Sequence, residues 1–279
     1  MSKRIITAMV AAAVFLPVLY FSDYVIFAIA MALCAVVGMW EMLRCIGLHR
    51  VWGLSIPYLL CAAAFPMAIY YVNDAQVMSG AIVFALIVLA LYSFAVMTFS
   101  HSKLDLSGVA AAFMTAFYIV AAFTSLCLLR YTVPAGRYVY LICFIGAWTT
   151  DIFAYFCGFL LGKHKLIPDV SPKKTVEGSI GGVLFCVIAM VVYGLIVRWI
   201  TAGAIDADFL MLCISGILIS VVSQIGDLLM SAIKRKYGVK DYGRIFPGHG
   251  GVLDRFDSVL AVALVLCLIT SMTDLFTVV

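Results

Sequence analysis

Residues 209–236 read FLMLCISGILISVVSQIGDLLMSAIKRK, an apolar run that closes on the cations Lys234, Arg235 and Lys236. At 1.5 Å per helical residue it is long enough to cross roughly 30 Å of hydrocarbon. Its polar residues are not scattered. Ser220, Gln224, Asp227, Ser231 and Lys234 recur at spacings of four, three, four and three, which confines them to an arc of about 80° on a helix. The stretch therefore reads as a membrane-spanning helix with one polar stripe that descends toward its basic end.

The same reading extends outward in both directions. Of the 279 residues, 66% are hydrophobic and 11% charged, and the mean hydropathy is +1.17; soluble domains run at about 45–50% and about 25%. A soluble globule, a disordered chain, collagen and a coiled coil are excluded. Apolar runs of spanning length cover residues 5 to 22, 24 to 43, 52 to 72, 77 to 99, 107 to 129, 138 to 162, 179 to 197, 209 to 236 and 254 to 273. The expected fold class is all-α: a polytopic integral membrane protein with about nine transmembrane helices. Lys3-Arg4 before an apolar stretch imitates a signal peptide, yet no small-x-small cleavage site precedes Tyr24, so the first span is expected to be retained.

With a cytoplasmic amino terminus, 15 of the 18 Lys and Arg residues fall on the cytoplasmic side, and only Arg130, Arg137 and Arg198 on the other. This positive-inside bias places both long polar loops, 163–178 and 237–253, in the cytoplasm. Charge is also uneven along the chain. Residues 1–137 read as an amino-terminal membrane scaffold of about five helices, and 138–279 as a catalytic membrane region of about four helices with the two polar loops. In the scaffold Glu41, followed by Arg44 at i+3 near the end of its span, reads as a paired interfacial residue. The modest net charge of +4 gives no reason to expect a nucleic-acid partner. Nine cysteines scattered singly through apolar runs, with no C-x-x-C pair, imply neither a disulfide framework nor a zinc site.

An ionisable group at membrane depth costs at least about 2.5 kcal/mol and is a functional candidate by default. Asp227 on the stripe above is one. Asp151 is the other, sharing a stripe of its span with Tyr155, Gly158 and Gly162; small-residue helix packing explains the glycines but not the acid. The polar segment that follows Ser231 holds Lys234, Arg235, Lys236, Lys240, Arg244 and Arg255, a run of glycines that includes Gly250 and Gly251, His249, and the acids Asp254 and Asp257. Glycines admit phosphate oxygens to the backbone, cations neutralise them, and aspartates supply the oxygen ligands that Mg²⁺ prefers. The plainer role of Asp254 and Asp257 is to open the last helix as cap and first-turn acid. The earlier loop offers Ser171-Pro-Lys173-Lys174-Thr175-Val-Glu177-Gly178, adjacent lysines and hydroxyls at a helix amino terminus, which suits an anion. Gly158 to Lys163 imitates a phosphate-binding loop, but the glycines are separated by three residues instead of four and lie in a span.

The pattern S-x-x-K-R-x4-K-D-x-G-x3-P-G-H-G-G-x2-D-R-x-D from Ser231 to Asp257 resembles the signature of the phosphatidate cytidylyltransferase (CDP-diacylglycerol synthase) family at every fixed position. Gln224-x-Gly226-Asp227, Asp151-x-x-Ala154-Tyr155-x-x-Gly158 and Ser171 to Gly178 are similar to it as well, so the likeness covers residues from about 140 to 260. It implies a nucleotidyltransferase of phospholipid biosynthesis that moves CMP from CTP to phosphatidate with Mg²⁺, with room for a second, monovalent cation. Asp227 and Asp254 would hold the metal, with Ser231 on the metal or a phosphate oxygen and Asp257 as a further ligand. Lys174, Lys234, Arg235 and Arg255 would hold phosphates, and His249 would orient or donate to one. Lys173, Thr175, Lys240, Gly250, Gly251, Asp151 and Tyr155 would complete the substrate contacts. The partners implied are CTP, phosphatidate and the lipid bilayer, with a homodimer compatible; the location is the bacterial cytoplasmic (inner) membrane with the active site facing the cytoplasm. A CTP-dependent polyprenol or phytol kinase is the nearest alternative, and a secondary transporter one of another class.

Overall fold

A computed structural model describes residues 2–72, 75–100 and 104–279; among these, the side chains at 2–8, 11, 12, 75, 76 and 79 lie outside the described set. The chain runs α1 (Ser2–Tyr20), α2 (Val25–Ile46), α3 (Trp52–Tyr71), α4 (Ala75–Phe99), α5 (Leu106–Tyr131), α6 (Gly136–Val139), α7 (Leu141–Leu161), β1 (Lys165–Ile167), β2 (Ser171–Thr175), α8 (Val176–Ile200), β3 (Ile205–Ala207), α9 (Phe209–Lys236), α10 (Leu253–Met272) and β4 (Phe276–Val278). Among the described residues eight helices are long and apolar enough to cross a membrane, and they fall on the second to ninth expected spans. The first expected span falls on α1, part of which lies outside the described side chains. The protein is all-α in class and integral to the membrane.

Internal contacts divide the chain into two compact units, Met1–Cys127 with Tyr237–Arg255, and Leu128–Lys236 with Phe256–Val279. The segment after α9, which the sequence grouped with the carboxyl-terminal region, thus packs with amino-terminal helices.

In the first unit, α2 buries Phe27, Met31, Ala35, Gly38 and Met42 at helical spacing. The Tyr58 hydroxyl of α3 shares a 2.7 Å hydrogen bond with Ser93 of α4, removing a polar group from an apolar environment where it would otherwise be costly. The helix α2 stops at Gly47, whose φ of 89° is left-handed, and Leu48 N–H reaches back to the Leu43 carbonyl at 2.9 Å, a glycine-dependent closure. Almost none of α4 is buried by the protein; its apolar side chains need no protein partner where lipid tails surround them.

In the second unit, α7, α8 and α9 approach closely through small residues. A Cβ added at Gly146 would lie 2.5 Å from Ile219, and one at Gly194 would lie 2.6 Å from Leu212, the packing that membrane helices use in place of a hydrophobic driving force. Two antiparallel ribbons were not foreseen: β1 with β2 (Lys165 opposite Thr175) and β3 with β4 (Ile205 opposite Val278). Strands of three to five residues show no readable alternation, and Pro172 inside β2 is tolerated because a two-stranded ribbon consists only of edges. The β1–β2 ribbon replaces the open loop expected after α7 and leads Lys173, Lys174 and Thr175 directly into α8.

Candidate active site

The second unit gathers the charged residues of three spans. At the end of β2, Thr175 is buried and caps α8, its hydroxyl accepting from Gly178 N–H at 3.2 Å. The strand exposes Lys173 and half-buries Lys174. The Lys174 ammonium lies 2.6 Å from Oδ2 of Asp227 on α9, and the Ser231 hydroxyl, one turn on, donates to Asp227 Oδ1 at 3.3 Å. Asp151 of α7 accepts from the Ser258 hydroxyl of α10 at 3.0 Å, and Ser258 N–H in turn donates to Asp257 Oδ1 at 2.9 Å. Asp257 lies within electrostatic reach of Asp227, Asp151 and Lys234, and Asp151 within reach of Asp227 and Lys174. Three aspartates and two lysines that the sequence singled out separately are therefore one charged cluster. Like charges so placed repel, and lysines supply the compensation.

Other members of the predicted stripes have a different role. The Gln224 amide donates to the Ser179 and Ser220 carbonyls at 3.4 and 3.3 Å, and Thr150 donates to the Ser220 hydroxyl at 3.0 Å. The upper part of the α9 stripe is interhelical bonding; only Asp227, Ser231 and Lys234 belong to the cluster. On α7, Tyr155 is 65% exposed and stacks on Phe159, while Gly158 and Gly162 lie against Thr175. Those glycines form a packing seam. Arg235 is exposed at the end of α9.

The remaining candidates lie in the first unit. Between Tyr242 and Arg255 the backbone folds tightly: Phe246 N–H donates to the Gly250 carbonyl at 2.9 Å and His249 N–H to the Phe246 carbonyl at 2.8 Å. Gly250 has a φ of +86°, and a Cβ there would lie 2.6 Å from Asp254 Oδ2, so no other residue fits without strain. Asp254 is 8% exposed, and its Oδ2 accepts from Tyr242 N–H at 2.8 Å and Gly251 N–H at 2.9 Å. It sits in the first turn of α10, not at the cap. Gly251 thus gives its own amide to Asp254. His249 is half-buried, and its Nδ1 is buried with no hydrogen-bond partner, a cost that a bound acceptor or donor would relieve. Lys240 and Arg255 are exposed.

Glu41, which reads in the sequence as an interfacial residue paired with Arg44, has other partners. It is 4% exposed, and in place of a bond to Arg44 its carboxylate accepts from Val252 N–H at 3.1 Å and Leu253 N–H at 3.0 Å. A buried acid in an apolar span was itself the available signal.

Among the described residues no three His, Cys, Asp or Glu side chains form a ready-made metal cage. The donor set of the second unit, three carboxylates and the Ser231 hydroxyl, consists only of oxygen. That suits a hard cation such as Mg²⁺, which takes one or two carboxylates and completes its shell with water and substrate phosphate.

A profile of the Cytidylyltransferase family matches residues 2–273. The chain is 34% identical over 268 residues to a phosphatidate cytidylyltransferase of Staphylococcus saprophyticus subsp. saprophyticus, an alignment covering 94% of this chain and 96% of that protein. Proteins of the same name from Staphylococcus epidermidis and Staphylococcus aureus are 35% and 33% identical at the same coverage. The likeness that the motifs showed from about residue 140 to 260 runs through the scaffold helices too, and the chain belongs to the cytidylyltransferase family.

Proposed function

We propose that this chain is a phosphatidate cytidylyltransferase, an integral membrane enzyme that transfers CMP from CTP to the phosphate of phosphatidate and releases pyrophosphate. The observation that carries the reading is the Lys174–Asp227 pair at 2.6 Å with Ser231 beside it. A phosphate monoester is already an anionic nucleophile, so no strong base is required. What the reaction needs is two anions held together and charge stabilised on the α-phosphoryl group and leaving pyrophosphate.

In this reading Lys174 turns from Asp227 to a phosphate oxygen as substrate arrives, with Lys173, Lys234 and Arg235 adding to the positive field. Asp227, Ser231 and Asp257 are the donors that would hold Mg²⁺ in the second unit, with Asp151 beside them. Mg²⁺, once bound, supplies positive charge to the phosphoryl oxygens. The first-unit residues enter this reading through the family motif alone: Asp254 as a metal ligand, His249, whose Nδ1 has no hydrogen-bond partner, as a phosphate contact, and Lys240 and Arg255 as added charge. The polar segments face the cytoplasm of a bacterial cytoplasmic membrane, where CTP is available and the acyl chains of phosphatidate stay in the bilayer.

Purified protein given CTP, phosphatidate and Mg²⁺ should form CDP-diacylglycerol and pyrophosphate in equal amounts, read by mass spectrometry and a pyrophosphate assay. Chelation by EDTA should stop both, and added Mg²⁺ should restore them. Product formation undiminished in EDTA would remove the metal from the account, and CDP in place of pyrophosphate would remove the transfer of CMP.

A further inference from the structure

Glu41 is an acid of the amino-terminal scaffold, more than 200 positions from the residues it binds: its bonds to Val252 and Leu253 span 211 and 212 residues of sequence. Those two N–H groups belong to the start of α10, where a helix has donors without intrahelical partners and a carboxylate is favoured by the helix dipole. The fit around the carboxylate is tight. A Cβ added at Gly243 or at Gly251 would collide with Glu41 Oε1, so both arms of the 243–251 loop close on this one side chain. One turn earlier on α2, a Cβ at Gly38 would lie 3.0 Å from Leu253, which keeps the helix face beneath the loop flat enough for Glu41 to reach it.

The bonds to Asp254 complete the arrangement. Gly251 N–H goes to Asp254, and Val252 and Leu253 N–H go to Glu41, so three successive amides are held by two carboxylates; Tyr242 N–H, on the other arm, also goes to Asp254. His249 and Gly250 lie between these pinned points, and Arg255 follows Asp254 directly.

We propose that Glu41 is a positioning residue for the reaction: by holding the amides of Val252 and Leu253 it fixes the loop that presents His249 and Asp254. This rests on the reading that the loop serves phosphatidate cytidylyltransfer. Glu41 touches no reacting atom. Gln in its place keeps the shape but turns one of its two acceptors into a donor, which cannot take the second N–H and leaves it unpaired. Asp keeps the charge one methylene farther away.

The test uses the full-length chain in detergent and compares wild type, Glu41→Gln and Glu41→Asp. It reads kcat, KM for CTP, melting temperature and hydrogen–deuterium exchange of peptides covering 242–255 and α7–α9. Glu41→Gln should lower kcat by about 100-fold, the scale of a small misplacement of reacting groups, with KM for CTP little changed. Its melting temperature should fall by only a few degrees, the scale of one unpaired buried N–H, and its faster exchange should be confined to 242–255. Glu41→Asp should have a kcat above that of Glu41→Gln. If Glu41→Gln cannot be recovered folded, Glu41→Asp carries the test, with reduced kcat and faster exchange in the same segment. The proposal is overturned by wild-type kcat in Glu41→Gln or, where only Glu41→Asp folds, in Glu41→Asp; by exchange that rises throughout α7–α9; or by no advantage of Asp over Gln. If wild type itself makes no CDP-diacylglycerol, the reading of the reaction has failed, while the exchange data still report whether Glu41 holds the loop.

Discussion

Lys174 and Asp227 form a 2.6 Å pair between β2 and α9, and the proposed role of Lys174 is one that its loss would expose. Charge-assisted contacts to a transferring phosphoryl group are worth a few kcal/mol, so Lys174→Met and Lys234→Met should each lower kcat/KM by about 100-fold or more. Lys103→Met, a cation expected on the same side but outside the motifs and outside the described residues, should change little. Equal losses in all three would reduce the lysines to general surface charge. Asp227 and Ser231 stood out in the sequence because ionisable groups near membrane depth are expensive and helical spacing reports a shared face, and Lys174 because adjacent lysines and hydroxyls precede a helix amino terminus. Glu41 reads in the sequence as an interfacial acid paired with Arg44. Its partners are backbone amides at positions 252 and 253, and backbone groups carry no residue-type signal. Ser220 and Gln224 show the opposite failure: their register matches the stripe, yet each is bonded to a neighbouring helix.

At the scale of elements, the seam between α7 and α8 sets how β2 delivers Lys174. Gly178 lies under α7 so closely that a Cβ there would come to 2.5 Å of the Ala154 carbonyl and 3.0 Å of Gly158 Cα. Gly178→Ala should therefore separate the helices, at a cost of roughly 1–3 kcal/mol for overpacking. Thr175→Ala should lose about 1 kcal/mol of cap and the contacts that its side chain makes with Gly158 and Gly162, but it adds no atom between the helices. Thermal melting in detergent should rank wild type above Thr175→Ala above Gly178→Ala; the reverse order of the two variants would mean that Thr175, not the close approach at Gly178, fixes the element. The spans themselves were readable because a bilayer demands about 20 apolar residues in a row. The ribbons β1–β2 and β3–β4 were not, since their hydrogen bonds are made by main chain and their strands are too short for a period.

For the whole molecule, the sign of the loops and the chemistry make one joint demand, that the polar segments meet cytosolic CTP. Cysteines placed at Lys173 and Lys240, in a background with the nine native cysteines replaced, should resist an impermeant thiol reagent in intact cells and react in inverted vesicles. Labelling from outside intact cells would contradict the proposed orientation. The charged residues of the second unit stand out in the sequence, whereas the first half offers little but Glu41, whose bonds to the amides of Val252 and Leu253 only the fold brings together. The central claim, transfer of CMP and not of a terminal phosphate, is tested most directly by following the label from CTP carrying radioactive phosphorus at either the α or the γ position, with phosphatidate as acceptor. Transfer of CMP puts the α-label in a lipid-soluble product and the γ-label in pyrophosphate; γ-label in the lipid, or no label in the lipid from either nucleotide, would overturn it.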